Sequence, residues 1–372
     1  MDFSLSQDQT AIAELARQII SARANDDTLR GFDGSGDWID RTLWSELGEA
    51  GLLGLSVPTA HGGGGFGILE LCVLLEEVGR ALAPVPVFPS ALLAGLALAE
   101  FGTEEQMSRY LPALSSGKLI ATAALEEEGR VDPTRTGTRA GTDGDGWRIN
   151  GSKHCVPAAE VCGLILVSAN TDRGMAVFLV DPASDGVNLE RQHTVNHDSQ
   201  SRMVLTDVRA EGGTILGEQG RGADMLGWLE RRALAGLAAM QVGVCEEALK
   251  RTAEYTTTRK QFERPIGSFQ AVSLRAADAY IAVESMRSTM WQAAWCLDEG
   301  RDGGQETAVA KWWAAHGGHQ VVHTAQHLHG GIGADTDYPI HRFFLWAEQI
   351  SLRLGGAARQ LQRLGDIIAA GG

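Results

Sequence analysis

Six short β-like runs between residues 119 and 208 decide the fold: LIATAAL (119–125), GWRINGSKHCV (146–156), GLILVSA (163–169), GMAVFLV (174–180), VNLERQHTV (187–195) and RMVLTDV (202–208). Turn signals such as Asp143-Gly144 and Asn150-Gly151 separate the runs, and no helical segment lies between them. A parallel sheet would need helices as crossover connections. The pattern therefore predicts an antiparallel β-domain.

Helical periodicity flanks this β-region on both sides. Before it, Ser6 followed by Gln9 forms a capping-box pattern, a second helix begins near Asp40, and residues 68–82 keep the helical period. After it, the apolar periodicity predicts four long helices joined by short loops, over residues 222–257, 268–299, 304–328 and 339–369. We therefore expect an α+β multidomain chain with an N-terminal helical domain (1–118), a middle antiparallel β-domain (119–218) and a C-terminal four-helix bundle (219–372).

The composition narrows the functional classes. The 372 residues carry 32 basic and 47 acidic side chains, and this net charge of −15 predicts no nucleic-acid partner, because such partners need a basic surface. No apolar run is long enough to cross a bilayer, so we expect no membrane span. The five cysteines are scattered without a CxxC pair, which favours a reducing, cytoplasmic compartment.

Segments in both helical parts resemble the acyl-CoA dehydrogenase family. The N-terminal part carries LWSELGEAGLLGLSVPTAHGGGG (43–65), LLEEVGRALAP (74–84) and FGTEEQMSRYLPALSSG (101–117). The bundle carries RKQFERPIGSFQAV (259–272), similar to the family's R-x-x-F-x-x-P-I-x-x-F-Q segment, and HGGIGADTDYPIHRFF (329–344), similar to its H-G-G-x-G…Y-P segment. The resemblance covers nearly the whole chain in the family's order.

This resemblance implies α,β-dehydrogenation of an acyl-CoA thioester, with FAD as the cofactor, in lipid or steroid catabolism. A carboxylate base removes the α-proton, FAD takes up the β-hydride, and hydrogen bonds polarise the thioester carbonyl. The protein's part in such chemistry is positioning and electrostatics.

The resemblance also implies which side chains contact FAD. Arg259 and Phe262 match positions where one subunit reaches the FAD of its neighbour, and a guanidinium suits a pyrophosphate as a flat ring suits the cofactor's surface. Taken without the resemblance, Arg259 would cap a helix and Phe262 would belong to the core. The further matching positions are Gln270, Gly330, Gly331 and His327, the last in place of the family's usual glutamine.

Both positions where the family carries its catalytic glutamate hold an apolar residue here. These positions correspond to Leu354 and Ala233, and neither side chain can accept a proton. Glu230 lies one helical turn from Ala233, so it is the candidate for a substitute base. It could instead pair with a neighbouring arginine or be exposed.

The family's flavin cradle is altered as well. Its V-T-E-P-G segment reads Leu125–Gly129 with three adjacent glutamates (126–128), whose charges would disfavour a reduced flavin anion. Its K-x-W-I-T segment reads KHCVP, so Cys155 replaces the aromatic and Pro157 the hydroxyl. The losses affect what faces the chain's own flavin, whereas residues that reach a neighbour's site are mostly kept.

This pattern resembles the second subunit of bacterial α2β2 acyl-CoA dehydrogenases, whose partner supplies the base and the flavin cradle. We therefore expect a homo-oligomer, or a hetero-oligomer with a related dehydrogenase subunit. Two alternatives stay open: a self-sufficient homotetramer that uses an unusual base such as Glu230, and a non-catalytic CoA- or protein-binding scaffold without FAD.

Histidines form the remaining candidate site. His319, His323 and His327 recur at i, i+4 and i+8 and would lie along one helix face. Two histidines four residues apart can bind a metal, but no carboxylate or cysteine in the segment completes a ligand set. The sequence alone therefore favours polar packing over a metal site.

Overall fold

The computed structural model describes residues 4–35, 37–130 and 132–371. The chain forms two compact units, one built from Met1–Asp37, Cys72–Pro84 and Leu234–Gly372, the other from Trp38–Leu71 and Val85–Ala233. The predicted fold class, with N-terminal helices, a middle β-domain and C-terminal helices, is confirmed. The boundaries predicted after residues 118 and 218 stay predictions.

Local capping signals begin the first helices where the sequence predicts them. Helices α1 (Gln7–Arg23) and α2 (Asp26–Ser35) belong to the first unit, and α3 (Arg41–Glu49) belongs to the second. At the start of α1, Ser6 Oγ accepts from the Gln9 amide at 3.1 Å and Gln9 Oε1 accepts from the Ser6 amide at 3.0 Å. The Asp40 carboxylate caps α3 by accepting from two backbone amides of its first turn.

The remaining N-terminal helices include a fully buried segment. They are α4 (Ile68–Arg80), a π-helical segment (Phe88–Gly95) that continues into α5 (Leu96–Phe101), and α6 (Glu104–Ser115). Every residue of the π-helical segment is buried. Because apolar residues occupy all its faces, this stretch is a core helix of the second unit.

The predicted β-runs form one sheet in the second unit. Its strands are β1 (Ala121–Ala124), β2 (Arg139–Asp143), β3 (Gly146–Pro157), β4 (Leu164–Thr171), β5 (Gly174–Val180), β6 (Val187–Gln192), β7 (Gln200–Ala210) and β8 (Ile215–Leu216). The strand order is β6-β7-β3-β2-β4-β5-β8, and β1 pairs with β4. All six predicted runs are strands. The sequence misses β2, which has a mostly exposed polar pattern, and β8, which has only two residues.

The sheet is mixed rather than purely antiparallel. The pairings of β1 and β2 with β4 are parallel, and the others in this sheet are antiparallel. The contact of the sheet with the helices of its own unit explains how β1 is placed. Ser90 Oγ of the π-helical segment accepts from the Ala121 amide at 3.3 Å, so β1 enters the sheet from the helical side.

The C-terminal helices differ from the prediction in one place. The structure has α7 (Gly222–Thr258), α8 (Gln270–Asp298), α9 (Gly304–His329), α10 (Ile340–Leu352) and α11 (Ala357–Ala369). A single fourth helix over 339–369 is therefore wrong. Leu354 and Gly355 adopt φ values of +53° and +91°, which no right-handed helix accommodates, so the chain turns between α10 and α11.

A cluster of partly buried charges joins α4, α7 and α8 within the first unit. Arg80 on α4 donates to Glu76 at 2.8 Å and also pairs with Glu246 on α7. Arg287 on α8 donates to Glu76 at 2.6 Å and lies 3.1 Å from Glu246. Because each carboxylate faces two guanidinium groups, the cluster compensates its own charge and fixes the register of the three helices.

Membrane insertion of a helix is not indicated. Within residues 4–35, 37–130 and 132–371, no helix combines the length and the apolar character that a bilayer crossing needs.

Candidate active site

A two-strand hairpin at the end of α7 carries Arg259 and Phe262. Strands β9 (Lys260–Gln261) and β10 (Arg264–Pro265) pair antiparallel, and the turn between them consists of Phe262 and Glu263. Their φ values are +52° and +65°, the left-handed conformation that a tight hairpin requires. Non-glycine residues adopt this conformation at a cost, and such strain concentrates at functional sites.

The side chains of Phe262 and Arg259 are both exposed. The Phe262 side chain is 87% exposed, and its ring meets the Phe269 ring edge to face, with the ring centroids 6.1 Å apart. Arg259 is exposed too, and its backbone amide bonds to the Tyr255 carbonyl at 2.9 Å. The Phe262 ring and the Arg259 guanidinium are therefore both exposed, and the alternative of a core phenylalanine is wrong.

An aromatic stack brings the end of α7 to the end of α9. The Tyr255 ring lies 4.4 Å from the His329 ring at an interplanar angle of 24°, and Tyr255 Oη donates to the His329 carbonyl at 3.4 Å. Tyr255 precedes Arg259 by one helical turn, and His329 directly precedes Gly330. The hairpin and the glycine turn 330–334 therefore leave the bundle at the same end.

The glycine turn leaves room for another group. Gly330 has φ +66° and ψ −143°, a conformation that only glycine adopts readily. A Cβ added at Gly330 or Gly331 would meet no atom within 4 Å. The pKa of His329 is lowered, because burial disfavours its charged form. The hydrogen bond between Nδ1 and the Ala325 carbonyl (2.8 Å) raises the pKa but does not outweigh burial. The buried Nε2 of His329 has no hydrogen-bond partner among the residues described here.

Two further predicted cofactor residues are also exposed. Gln270 is the first residue of α8, directly after the hairpin segment, and His327 lies in the last turn of α9 before the glycine turn. Both therefore belong to the same region of the first unit as the hairpin. Whether they contact a cofactor stays a prediction.

Leu354 occupies the turn between α10 and α11, where the family resemblance implies a base. The Leu354 side chain is 4% exposed. Gln360 Nε2 donates to the carbonyls of Leu354 (3.0 Å) and Gly355 (3.1 Å), and the buried Lys311 ammonium donates to the Ser351 carbonyl at 2.9 Å. These hydrogen bonds stabilise the strained turn. The side chain that the turn carries at this position, Leu354, is a hydrocarbon and cannot act as a base.

The second position implied for a base is apolar as well. Ala233 on α7 is fully buried. Glu230, one turn before it on the same helix, is only 7% exposed. A simply exposed glutamate is therefore wrong for Glu230, and its role as a base stays a prediction.

Glu127 points into the β-domain instead of toward a cofactor. Its carboxylate accepts from Lys153 Nζ at 2.7 Å, from Thr138 Oγ1 at 2.8 Å and from Thr136 Oγ1. The Lys153 ammonium, whose side chain is 1% exposed, also donates to Ser168 Oγ at 2.8 Å. The expectation of three carboxylates facing a flavin is therefore wrong for Glu127.

The pKa values of this pair follow from burial and mutual attraction. Burial disfavours the charged form of Glu127, but the Lys153 charge and the hydrogen bonds outweigh it and lower the pKa of Glu127 to about 2. Burial lowers the pKa of Lys153 to about 8, although the attraction of the Glu127 charge acts to raise it. Both groups are charged at neutral pH, so the pair is a buried salt bridge.

Strand β3, which carries Lys153, also carries the two residues that depart from the family's segment, Cys155 and Pro157. Cys155 lies in a bulge of β3 with φ +50°, and its amide donates to Gln192 Oε1 at 2.9 Å. Pro157 ends the strand, where it is buried and offers no hydroxyl or N–H. The backbone of this segment is therefore in place, whereas the groups that would face an isoalloxazine ring are absent from these positions.

Family models match most of the chain. Residues 6–118 match the N-terminal domain of acyl-CoA dehydrogenase, residues 121–208 its middle domain and residues 223–368 its C-terminal domain. This chain belongs to the acyl-CoA dehydrogenase family. Members of the acyl-CoA dehydrogenase family are oxidoreductases that act on the CH–CH bond of acyl-CoA thioesters.

Individual members are similar over their full length. Acyl-CoA dehydrogenase FadE27 of Mycobacterium tuberculosis is 39% identical, with 99% of each chain covered. The structure of a Tcur3481–Tcur3483 steroid ACAD variant superimposes on this chain with a TM-score of 0.93 and is 47% identical in sequence. The structure of the ChsE4–ChsE5 complex from Mycobacterium tuberculosis superimposes with a TM-score of 0.94 and is 39% identical. Each match covers 99% of both chains. The ChsE4–ChsE5 structure is a complex of two different subunits.

The residues at the bundle end fit FAD, the cofactor that the family resemblance implies. The exposed guanidinium of Arg259 suits a pyrophosphate, the exposed ring of Phe262 suits a flat cofactor surface, and the glycine turn leaves room for a close backbone approach. The β-domain segment of the same chain fits less well, because Cys155 and Pro157 replace an aromatic and a hydroxyl.

Proposed function

We propose that this chain is the acyl-CoA dehydrogenase subunit without a catalytic glutamate, and that it acts with a related subunit that carries one. The buried Leu354 is the observation that carries this proposal. It lies in a turn whose strained backbone is held by Gln360, yet its side chain cannot accept a proton.

The chain's own residues would complete the FAD site of the partner. Arg259 would hold the pyrophosphate, Phe262 would lie against the cofactor, and the backbone at Gly330 and Gly331 would approach it closely. FAD, when bound, supplies the acceptor for the β-hydride. The glutamate that removes the α-proton would come from the partner, because Leu354 cannot.

The substrate class follows from the similar proteins. The chain is 47% identical to a steroid acyl-CoA dehydrogenase over 99% of its length. We propose an acyl-CoA thioester of lipid or steroid origin as the substrate, in the cytoplasm. The five free cysteines, four of them buried, support a reducing compartment.

Exposed apolar residues on α8 support the proposal that this chain binds a partner subunit. Leu274 and Ile281, seven residues apart and therefore on one face of α8, are 56% and 60% exposed, and Tyr280 on the same helix is 59% exposed. Exposed apolar patches of this kind mark protein–protein contacts. The ChsE4–ChsE5 complex supplies the precedent of two unlike subunits.

Flavin absorbance tests the proposal. The chain purified alone is expected to be colourless, and the chain co-expressed with a glutamate-bearing acyl-CoA dehydrogenase chain of the same genome is expected to be yellow. Yellow, active protein without a partner would contradict the proposal and favour a self-sufficient homotetramer with Glu230 as the base. Protein that stays colourless with every such partner would favour the scaffold.

Arg259→Ala is expected to reduce FAD retention by the assembled protein about tenfold or more, because a charge-assisted contact to phosphate contributes about 1.5–3 kcal/mol. Flavin content per assembly after gel filtration measures the effect. Arg264→Ala is the matched control, since Arg264 is an exposed arginine of the same hairpin that lies over Phe269 at 4.1 Å. Equal losses in the two variants would remove Arg259 from the cofactor site.

Leu274→Glu is expected to weaken assembly at least tenfold, because a charge at an apolar contact must be desolvated without a partner. Light scattering across a dilution series gives the dissociation constant. Val195→Glu is the control, since Val195 is a similarly exposed apolar residue (55%) of the β-domain. An unchanged mass for Leu274→Glu at all concentrations would exclude this face of α8 from the interface.

A further inference from the structure

A cluster of two histidines and a glutamate lies between α9 and α10. His319 Nδ1 is 2.7 Å from Glu348 Oε1, and His323 Nε2 is 3.8 Å from the same oxygen. One ligand atom from each residue lies within 4.8 Å of the others. The sequence supplies the histidine spacing but not the carboxylate, because Glu348 lies on the next helix, 25 residues after His323.

The surrounding residues fix the two helices at this point. A Cβ at Gly318 would lie 1.9 Å from Gln241 Nε2, so only a glycine admits the buried Gln241 side chain beside His319. The same Gln241 Nε2 donates to the carbonyl of Ala347, the residue before Glu348, at 3.3 Å. The backbones that carry His319 and Glu348 are thus held by one buried amide.

The ring of His323 is oriented as well. Its edge-on contact with Phe344 on α10 has a centroid distance of 4.9 Å and an interplanar angle of 71°. The His319 and His323 rings lie 3.9 Å apart. Both histidines and Glu348 stay accessible, with side chains 55%, 50% and 26% exposed. A ligand could therefore enter without unfolding the helix pair.

The chemistry of the three groups suits a divalent transition metal. Two imidazoles at i and i+4 with one carboxylate are a ligand set that binds Zn²⁺, and tetrahedral bonds of about 2.1 Å place neighbouring ligand atoms about 3.4 Å apart. The observed spacing needs only rotamer adjustments of half-exposed side chains. A simple hydrogen bond between a histidine and Glu348 would involve one imidazole. Here the imidazoles of both His319 and His323 lie near the same oxygen, Glu348 Oε1.

We propose that His319, His323 and Glu348 form a Zn²⁺ site that clamps α9 to α10, with the remaining coordination position open to water. The site joins α9 to the helix that ends two residues before Leu354. It therefore stabilises the helix pair from which the turn at Leu354 departs, and it is independent of the dehydrogenation chemistry.

Metal titration of the full chain tests the proposal. The protein is purified without a polyhistidine tag, stripped with a chelator and titrated with Co²⁺, whose tetrahedral d–d absorbance reports the ligand geometry, and Zn²⁺ then displaces it. We expect a Zn²⁺ dissociation constant of about 10 µM or lower. His323→Gln and Glu348→Gln should each weaken binding about a hundredfold or more, because each removes a direct ligand and even the loss of a group that only supports a ligand costs about 10–100-fold.

His316→Gln is the matched control, because it removes an exposed histidine of the same helix that stacks on Trp312 outside the cluster. It should leave affinity unchanged. Zn²⁺ should raise the Tm of the wild type and the control but not of the ligand variants. Absence of a tetrahedral band, or equal affinity in wild type and Glu348→Gln, would overturn the proposal. Circular dichroism verifies folding, and His319→Gln replaces a variant that fails it.

Discussion

Purified alone and supplied with FAD and an artificial electron acceptor, this chain is expected to oxidise acyl-CoA at least about a hundredfold more slowly than when a glutamate-bearing partner is present. A positioned general base contributes about 10²–10⁴-fold, and the weakly acidic α-proton makes this reaction depend on it. Leu354 and Ala233 stand where that base is implied, and both are buried hydrocarbons. The measurement is turnover of a set of acyl-CoA thioesters, including steroid side-chain thioesters.

Glu230→Gln decides between the proposal and the homotetramer. If the chain alone turns over substrate and Glu230→Gln abolishes this turnover, then Glu230 is the base and the chain is self-sufficient. If turnover survives, another residue acts as the base, and the incomplete-subunit proposal also fails. Glu128→Gln is the control, because Glu128 is a highly exposed carboxylate (79%) in the altered cradle segment. The expected result is turnover at least about a hundredfold slower for all three proteins until the partner is added.

The sequence predicts the fold where one face of an element is apolar. All six β-runs became strands, because period-two or continuous apolar patterns require a buried face. Strand β2 was not predicted, because most of its side chains are exposed and it has no apolar pattern. It joins the sheet through its backbone pairing with β3. Helix periodicity also ran through residues 353–356, where positive φ values end α10. Apolar periodicity does not report such a break.

Side-chain direction limits what the sequence says about the site. The run of three glutamates predicts a cluster of negative charge, but the middle one turns inward to Lys153, 26 residues later along the chain. The outward hairpin at Phe262 could only be taken from the family resemblance, because a lone phenylalanine is usually buried. The pairing of Glu348 with two histidines depends on the packing of α9 against α10. Each of these contacts is non-local, so no local pattern encodes it.

Lys153→Met is expected to destabilise the β-domain by about 3–5 kcal/mol, because the buried Glu127 carboxylate loses its buried counter-charge and keeps only the exposed Arg130, 3.8 Å away, as a cationic neighbour among the described residues. For a unit of this size such a loss lowers the Tm by about 10 °C. The pair also predicts acid sensitivity. The pKa of Glu127 is lowered to about 2, so its contribution is complete above the unfolded value near 4.5 and is lost as the pH falls toward 2. Glu127→Gln should therefore flatten the decline of Tm between pH 5 and pH 3.

The double variant Lys153→Met/Glu127→Gln separates charge from packing. A neutral glutamine can still accept from Thr136 and Thr138, so the double variant should recover most of the stability lost in Lys153→Met. Arg148→Met, on the same strand, removes an exposed ion pair with Asp143 and should cost less than about 1 kcal/mol. A double variant as unstable as Lys153→Met would mean that the lysine stem, rather than its charge, supports the domain. In that case the inward turn of Glu127 would follow from its hydrogen bonds to Thr136, Thr138 and the Gly137 amide.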